Sequence, residues 1–208
     1  MARSEEAERS ALLIDWGGVL TSNLFESFGA YCRRVNIDPQ TLRGRFSKDP
    51  QCRELLIALE KGELAEPDFE RRLAELLEID SDGLVDGLFA GVQPDVAMVE
   101  AVRKARAGGV RTALVSNSWG VPRYPHDLFD ALFDGVVISA EEGTRKPSRR
   151  MYELGAERAG TTPEQAVFVD DLPFNLKPAE ELGMATVHHT SAETTIPELE
   201  RMLGLKLS

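Results

Sequence analysis

The residues of this chain that could do chemistry stand directly after short hydrophobic segments, or in the loop that follows one. They comprise three carboxylates, a lysine, a serine and an asparagine, namely Asp15, Ser116, Asn117, Lys146, Asp170 and Asp171. Clustered carboxylates favour a hard cation such as Mg²⁺. An ammonium and a hydroxyl group can bind phosphoryl oxygens, and a remaining carboxylate can attack phosphorus. If these side chains meet, they predict a site for a metal-bound phosphate group.

Each of these residues also has a purely structural explanation when it is taken alone. Aspartate and serine commonly cap helices, and a turn from a strand into a helix needs such a cap. Asp15 or Ser116 by itself would therefore predict only a helix start. The combination of carboxylates, a lysine and a hydroxyl group at corresponding positions favours a functional site.

Five hydrophobic segments predict buried strands that would bring these residues together. They span residues 11–16, 110–116, 135–139, 166–171 and 185–189. Their hydrophobicity is continuous rather than alternating, which is typical of strands covered on both faces in a parallel sheet. Helical patterns alternate with them, so we expect a doubly wound, Rossmann-like α/β core. Open parallel sheets bind their ligands at the carboxyl ends of the strands.

One long segment contains helical patterns only. After the first predicted strand, apolar residues such as Leu24, Phe28 and Tyr31 recur at helical spacing, and no strand is evident before residue 93. We therefore predict a helical cap at residues 23–92, inserted into a core of residues 11–22 and 93–204. Within the core, the sequence at 162–165 predicts a helix start, and that at 178–182 predicts a short helix.

The composition excludes several classes of function. The chain has 208 residues and a net charge of −11, so it lacks the basic surface that sequence-independent binding of nucleic acid needs. No apolar run approaches the roughly 20 residues of a membrane span, and the acidic N-terminal segment is unlike a signal or transit peptide. The cysteines, Cys32 and Cys52, lack the spacing of a disulfide framework or zinc site. We expect a cytoplasmic protein that binds neither nucleic acid nor membranes.

Four motifs, in this order along the chain, resemble those of the haloacid dehalogenase (HAD) superfamily, subfamily IA. They are LLIDWGGVLT, LVSNSWG, EEGTRKPSRRMY and VFVDDLPFNLKPAEELGMATV. The last is similar to the N-terminal phosphatase domain of soluble epoxide hydrolase, and the resemblance extends from residue 11 to about residue 203. Response-regulator receiver domains carry similar groups on a similar sheet, but their acidic pair follows the first strand, whereas here it follows the fourth.

The resemblance implies a magnesium-dependent phosphatase that acts on a small phosphorylated metabolite through an aspartyl-phosphate, as a monomer or homodimer. Asp15 would be the nucleophile, and Asp170 would position Lys146 or a metal-bound water. The phosphoryl group would be bound by Ser116, Asn117 and Lys146. Mg²⁺ would be bound by Asp15, the Gly17 carbonyl and Asp171, with support from Asn175.

Gly17 stands where phosphatases of this superfamily usually carry a second aspartate, which protonates the leaving group. Such acid–base groups typically contribute about 10² to 10⁴ in rate. Three interpretations therefore stay open. The protein could be a phosphatase for esters with good leaving groups, such as sugar-1-phosphates or acyl phosphates, or one whose acid comes from the cap or from water. It could be a weak or inactive relative that binds a phosphorylated ligand or a protein. It could also hydrolyse carbon–halogen or carbon–phosphorus bonds; the latter would need a cap lysine, for which Lys48 and Lys61 are the candidates.

Overall fold

The computed structural model describes residues 9–208 and contains a five-stranded sheet in which every neighbouring pair of strands is parallel. The predicted parallel α/β core is confirmed. The strands are β1 Ala11–Ile14, β2 Arg111–Ser116, β3 Gly135–Ile138, β4 Ala166–Asp170 and β5 Ala185–His188. Each strand is one or two residues shorter than predicted: β2 begins one residue later, and the other four strands end one or two residues earlier.

The register of the sheet brings polar residues together at one edge. Ile14, the last residue of β1, pairs with Leu114 of β2 on one side and with Val169 of β4 on the other. Asp15 therefore lies beside Asp170. The strand order β3-β2-β1-β4-β5 places β1 where the direction of winding reverses. This is the position at which open parallel sheets bind ligands.

The segment between β1 and β2 begins with a helical insertion that has its own hydrophobic core, in which Phe69, Leu73 and Leu84 are fully buried. Two of its helices begin at an aspartate, Asp38 or Asp49, whose carboxylate accepts a hydrogen bond from the backbone N–H two residues on, with proline in the first turn. The helices of the insertion are α1 Leu24–Arg34, α2 Pro39–Lys48, α3 Pro50–Glu60, α4 Glu66–Leu77 and α5 Leu84–Phe89.

The insertion leaves and rejoins the sheet at adjacent points. The Ser22 N–H donates to the Gln93 carbonyl at 2.7 Å, and the Gln93 N–H donates to the Ser22 hydroxyl at 3.0 Å. An isolated antiparallel bridge joins Thr21 to Pro94. We refer to the inserted helices as the cap; the domain boundaries at 22/23 and 92/93 stay a prediction.

Helices cover both faces of the sheet because successive side chains of each strand point to opposite sides. The helices that follow the cap are α6 Val96–Ala107, α7 His126–Leu132, α8 Ser139–Glu142, α9 Arg149–Ala159, α10 Pro173–Glu181 and α11 Ala192–Leu203. Leu12 and Ile14 pack with α6, α7 and α11, whereas Leu13 packs with α9 and α10.

Two predictions of local structure in the core are wrong in detail. The segment predicted as a helix start at 162–165 is a single 3₁₀ turn, Pro163–Gln165, because β4 begins at the next residue. The helix predicted at 178–182 begins earlier, at Pro173, and accommodates Pro178 in its interior.

Within residues 9–208, every helix is too short or too polar to cross a membrane. Cys32 and Cys52 are both buried free thiols in the cap. Residues 1–8, which form most of the segment judged unlike a targeting peptide, lie outside the described residues. The cytoplasmic location stays a prediction.

Candidate active site

Lys146 joins two of the predicted carboxylates at the carboxyl end of the sheet. Its Nζ donates to Oδ2 of Asp170 at 2.6 Å and lies 3.0 Å from Oδ2 of Asp15. Lys146 and Asp170 are fully buried, and Asp15 is only 7% exposed. Buried charges persist when they are paired and hydrogen-bonded. The lysine therefore balances part of the negative charge that the two carboxylates bring into the protein.

Asp170 is held in place by donors from its own loop. Its Oδ1 accepts hydrogen bonds from the Leu172 N–H at 2.9 Å and from Nδ2 of Asn175 at 3.0 Å, and Asn175 Nδ2 also lies 3.1 Å from Oδ2. The Tyr152 hydroxyl in turn donates to the Asn175 carbonyl at 2.7 Å. Both oxygens of Asp170 thus have donors, which suits this residue to position Lys146. Asn175 acts on Asp170 directly.

The environment of these groups raises the pKa values of Asp15, Asp171 and Lys146, but not for the same reason. Burial raises the pKa of Asp15 from its ordinary value of 3.8 to about 6, although Lys146 opposes the shift. Burial, followed by the charges of Asp15 and Asp170, raises the pKa of Asp171 to about 7. Burial alone would lower the pKa of Lys146, but the neighbouring carboxylates raise it, so the lysine stays protonated. The site therefore gathers more negative charge than one lysine offsets.

A hard divalent cation fits this set of donors. One oxygen from each of Asp15, Asp170 and Asp171 lies within 4.8 Å of the other two. Hard cations select carboxylate and carbonyl oxygens, and they typically take one or two carboxylates together with substrate oxygens. Asp170 is fully buried and accepts hydrogen bonds from Lys146, Leu172 and Asn175, whereas Asp15 has only Trp16 and Lys146 against it and is slightly exposed, so Asp15 and Asp171 are the better placed ligands. A cation between them would offset the cost of burying their charges, to which repulsion from neighbouring carboxylates adds.

Gly18 lets the chain pass close to Asp171. Its φ is +74°, and a Cβ at this position would lie 2.6 Å from Oδ2 of Asp171. Its N–H donates to the Thr21 hydroxyl at 3.0 Å, which fixes the turn after β1. Only glycine combines this backbone conformation with room for the carboxylate. The sequence analysis did not single out Gly18, although the Gly17–Gly18 pair was the available signal.

Tyr124 positions the predicted phosphate-binding hydroxyl. Its hydroxyl donates to Oγ of Ser116 at 3.0 Å, and both residues are buried. Burial raises the pKa of Tyr124, so the phenol stays neutral and remains a donor. Its ring packs edge-on against those of Trp16 and Phe129. Sequence reasoning missed Tyr124, because nothing in its own loop shows that it returns to Ser116.

Asn117 ties the loop after β2 to the loop of Lys146. Its Oδ1 accepts a hydrogen bond from the Lys146 N–H at 2.8 Å, and its Nδ2 donates to the Lys146 carbonyl at 3.2 Å. The predicted donation from Asn117 to a phosphoryl group would therefore have to use the second amide hydrogen. That role stays a prediction.

Gly17 lies against the cap. A Cβ at Gly17 would meet Cδ1 of Leu24, in α1, at 2.8 Å. Glycine has no side chain that could donate a proton. The role of the Gly17 carbonyl as a metal ligand stays a prediction. The turn after β1 therefore supplies Asp15 as its acid.

Glu60, at the end of α3 in the cap, is a further buried acid near these groups. Burial raises the pKa of Glu60 to about 7, whereas the charges of Arg145 and Lys146 lower it and that of Asp15 raises it. Its Oε2 contacts Nε of Arg145, the residue that precedes Lys146. No local pattern in the sequence marks Glu60, because its partner lies 85 residues away.

The structure brings the predicted residues together at one edge of the sheet, at the ends of β2 and β4, in the loops that follow the strands and in the first turn of α10, and their catalytic roles stay predictions. The set contains the predicted nucleophile, the phosphate-binding residues, the metal ligands and the supporting amide, and it comprises Asp15, Gly17, Ser116, Asn117, Lys146, Asp170, Asp171 and Asn175.

Comparison with known proteins gives one family and several relatives. The family model for haloacid dehalogenase-like hydrolases matches residues 10–183. The chain is 39% identical over 114 residues to acyl-CoA dehydrogenase family member 10 of Mus musculus, which is 53% of this chain and 10% of that protein. It is 32% identical over 117 residues to a sesquiterpene phosphatase of Aspergillus oryzae, which is 54% of this chain and 59% of that protein.

The predicted similarity to epoxide hydrolases is also found. The chain is 28% identical over 114 residues to bifunctional epoxide hydrolase 2 of Rattus norvegicus, which is 51% of this chain and 21% of that protein. The matched segments thus span less than two thirds of the length of each of these relatives.

Among solved structures, a HAD family enzyme of Bacteroides thetaiotaomicron in a magnesium complex has the same fold. The TM-score is 0.69 at 22% sequence identity, and the superposition covers 94% of this chain and all of that chain.

Proposed function

The chain belongs to the haloacid dehalogenase-like hydrolases, and we propose that it is a magnesium-dependent phosphatase that transfers the phosphoryl group of a small phosphate ester to Asp15. The observation that carries this proposal is the buried Lys146, which contacts both Asp15 and Asp170 beside a third carboxylate. The similarity to a sesquiterpene phosphatase supports the same class of reaction.

In the proposed reaction, a carboxylate oxygen of Asp15 attacks phosphorus, and the bond from phosphorus to the leaving oxygen breaks. Trp16 N–H donates to Oδ1 of Asp15 at 2.7 Å and, with Lys146 on Oδ2, fixes the orientation of the carboxylate. Lys146 and the Ser116 hydroxyl bind the transferring group and neutralise its charge. Water then attacks phosphorus of the acyl phosphate, which restores Asp15 and releases inorganic phosphate.

Mg²⁺ is the cation that we propose for the carboxylates. Asp15, Asp171 and the Gly17 carbonyl would hold it, while Asp170 stays engaged with Lys146 and Asn175. When bound, Mg²⁺ would neutralise charge on the phosphoryl oxygens and orient them. The magnesium complex of the Bacteroides thetaiotaomicron enzyme supports this choice of metal.

The absence of an acid at Gly17 restricts the proposed substrates. Without a proton donor two residues beyond Asp15, departure of a poor leaving group such as an alkoxide is slow. Esters whose leaving oxygen has a low pKa, such as sugar-1-phosphates and acyl phosphates, need that proton least. We therefore propose a small phosphorylated metabolite of this kind as the substrate.

Gly17 also favours a second candidate, a weak or inactive relative that binds a phosphorylated ligand. A carbon–phosphorus hydrolase has less support. Lys48 is exposed, and Lys61 is ion-paired with Glu63, so neither cap lysine has the buried position that a Schiff-base lysine usually needs.

The proposal is tested by hydrolysis of phosphate esters with graded leaving-group pKa, in the presence of Mg²⁺, by the wild type and Asp15→Asn. We expect turnover by the wild type that increases as the leaving-group pKa falls. Asp15→Asn should lower kcat by about 10⁴-fold or more, because it removes the nucleophile.

Asp82→Asn is the matched control, since Asp82 is an exposed aspartate of the cap. It should keep wild-type rates. Binding of Mg²⁺ and inorganic phosphate without turnover of any ester would favour the binding protein instead. Metal-independent activity on 2-haloacids would place the protein among the dehalogenases.

A further inference from the structure

A buried ion pair joins the cap to the loop of the catalytic lysine. Oε2 of Glu60, the last residue of α3, contacts Nε of Arg145, and the Glu60 side chain is only 6% exposed. Among the described residues, neither Glu60 Oε2 nor Arg145 Nε has a hydrogen bond to any other group, so each atom depends on this contact. The pair is therefore the main compensation for the buried charge of Glu60 at the boundary between cap and sheet.

The backbone of Glu60 makes a second connection, to the loop that carries Ser116. The Ser139 hydroxyl, at the start of α8, donates to the Glu60 carbonyl, and the Ser118 N–H donates to Oγ of Ser139 at 2.8 Å. Ser118 follows Ser116 by two residues. One residue of the cap is thus connected to both loops that we propose to bind the phosphoryl group, directly through its side chain and indirectly, by way of Ser139, through its carbonyl.

The two loops are also bonded to each other. The side-chain amide of Asn117 pairs with the N–H and the carbonyl of Lys146. A shift of Arg145 would therefore move the backbone of Lys146 and, through Asn117, the loop after β2. Displacements of this kind matter because a shift of about 1 Å in a reacting group costs about 10²-fold in rate.

We propose that Glu60 is a positioning residue that holds the phosphate-binding loops in place through Arg145; this inference rests on the proposed function. The geometry of the site would then depend on the position of the cap relative to the sheet. The alternative, that Glu60 is the missing proton donor, has less support. Its carboxylate contacts Arg145, whereas its influence on Asp15 and Lys146 is through charge.

The inference is tested with Glu60→Gln, Arg145→Gln and the double variant. Each variant is assayed with Mg²⁺ on two phosphate esters of different leaving-group pKa. Relative to the wild type, each single variant should have a kcat/KM that is lower by about 10²-fold, and by the same factor on both esters. Each should also weaken inhibition by inorganic phosphate. The double variant should be no worse than the more damaged single variant, because both substitutions break one contact.

Glu54→Gln, on the exposed face of the same helix, is the matched control and should keep wild-type kinetics. Thermal unfolding of each variant identifies the temperature at which all are folded, and Glu60→Asp, which keeps the charge, serves if Glu60→Gln does not fold. Glu60→Asp should retain more phosphate affinity than Arg145→Gln.

Three results would overturn the inference. One is a Glu60→Gln variant that matches Glu54→Gln in phosphate affinity and kcat/KM. Another is a lower melting temperature with unchanged phosphate affinity, which would make the pair merely structural. The third is a loss confined to the ester with the poorer leaving group and absent from Arg145→Gln, which would make Glu60 a proton donor. Failure of the proposed function is distinct, because the wild type itself would then hydrolyse neither ester.

Discussion

At the scale of single residues, the site depends on groups that hold its other members in place. Asp170 engages Lys146 through Oδ2, and Tyr124 reaches Ser116 from the loop that follows β2. Gly18 leaves room for the carboxylate of Asp171. These residues fix the position and charge of their neighbours, which is how preorganised sites stabilise a transition state.

Tyr124→Phe tests the support of Ser116. The substitution removes the hydroxyl that donates to Ser116 but keeps the ring that packs on Trp16 and Phe129. Loss of one hydrogen bond of this kind costs about 0.5–1.5 kcal/mol. We expect kcat/KM for a good phosphate ester to fall by about 2- to 10-fold, and the melting temperature to fall by about 1 to 6 °C.

Tyr31→Phe is the control for Tyr124→Phe, because Tyr31 lies in the cap beside Arg34 and makes no hydrogen bond to the site in the described residues. Equal kinetics for the two variants would show that the Tyr124 hydroxyl does not support Ser116.

At the scale of the elements, the loop after β2 packs against the cap and is ion-paired with it. The ring of Trp119 packs among four phenylalanines of the cap at centroid distances of 5.3 to 5.7 Å: Phe28, Phe46, Phe69 and Phe89. Arg123, from the same loop, lies 2.5 Å from Glu66 and 2.8 Å from Asp86. The loop that carries Ser116 and the cap are therefore packed as one unit.

Trp119→Ala tests this connection. The side chain is partly buried, so we expect the free energy of unfolding to fall by about 3 kcal/mol, the low end of the range for aromatic residues replaced by alanine. We also expect a higher KM, since the cap loses its main apolar contact with the site loop. Denaturant unfolding and steady-state kinetics measure the two effects.

Phe25→Ala is the control for Trp119→Ala, because Phe25 is an aromatic residue of the cap that is 47% exposed. An unchanged KM in a less stable Trp119→Ala protein would mean that Trp119 stabilises the fold without affecting the site.

At the scale of the whole molecule, the carboxylates couple folding to pH and to metal. Burial raises the pKa of Asp15 to about 6 and that of Asp171 to about 7, both above the value of 3.8 for an ordinary aspartate. Between about pH 4 and pH 7, the metal-free folded protein therefore binds more protons at these groups than the unfolded chain. Their contribution to stability falls as the pH rises through this range.

Mg²⁺ should reverse this effect, because it binds the ionised carboxylates. At pH 8, Mg²⁺ at 100 times its Kd should raise the melting temperature by about 5 to 10 °C relative to a chelator. The gain should shrink at pH 5, where protons compete for Asp15 and Asp171. Thermal unfolding with Mg²⁺ and with EDTA at both pH values measures the difference.

Asp171→Asn should abolish most of the gain from Mg²⁺ at pH 8, because it removes a proposed ligand. A gain that persists in this variant, or one that is larger at pH 5 than at pH 8, would contradict the proposed metal site.

The sequence by itself determined the elements and the residues at their ends. Continuous hydrophobic segments predicted the strands, and helical spacing predicted the inserted helices. Because parallel strands end at a common edge, the same pattern predicted that Asp15, Ser116 and Asp170 would meet. The error at 162–165 came from reading a local helix-start signal without the strand that follows it.

Only the tertiary structure decided which loops touch each other. Three contacts join segments that no periodicity links. They are the contact of Glu60 with Arg145, that of Tyr124 with Ser116, and the packing of Trp119 into the cap. Hydrophobic spacing records which face of an element is buried, because burial repeats with every turn or every second residue. It carries no information on which polar side chains meet across a boundary, since that depends on how the packed elements bring their loops together.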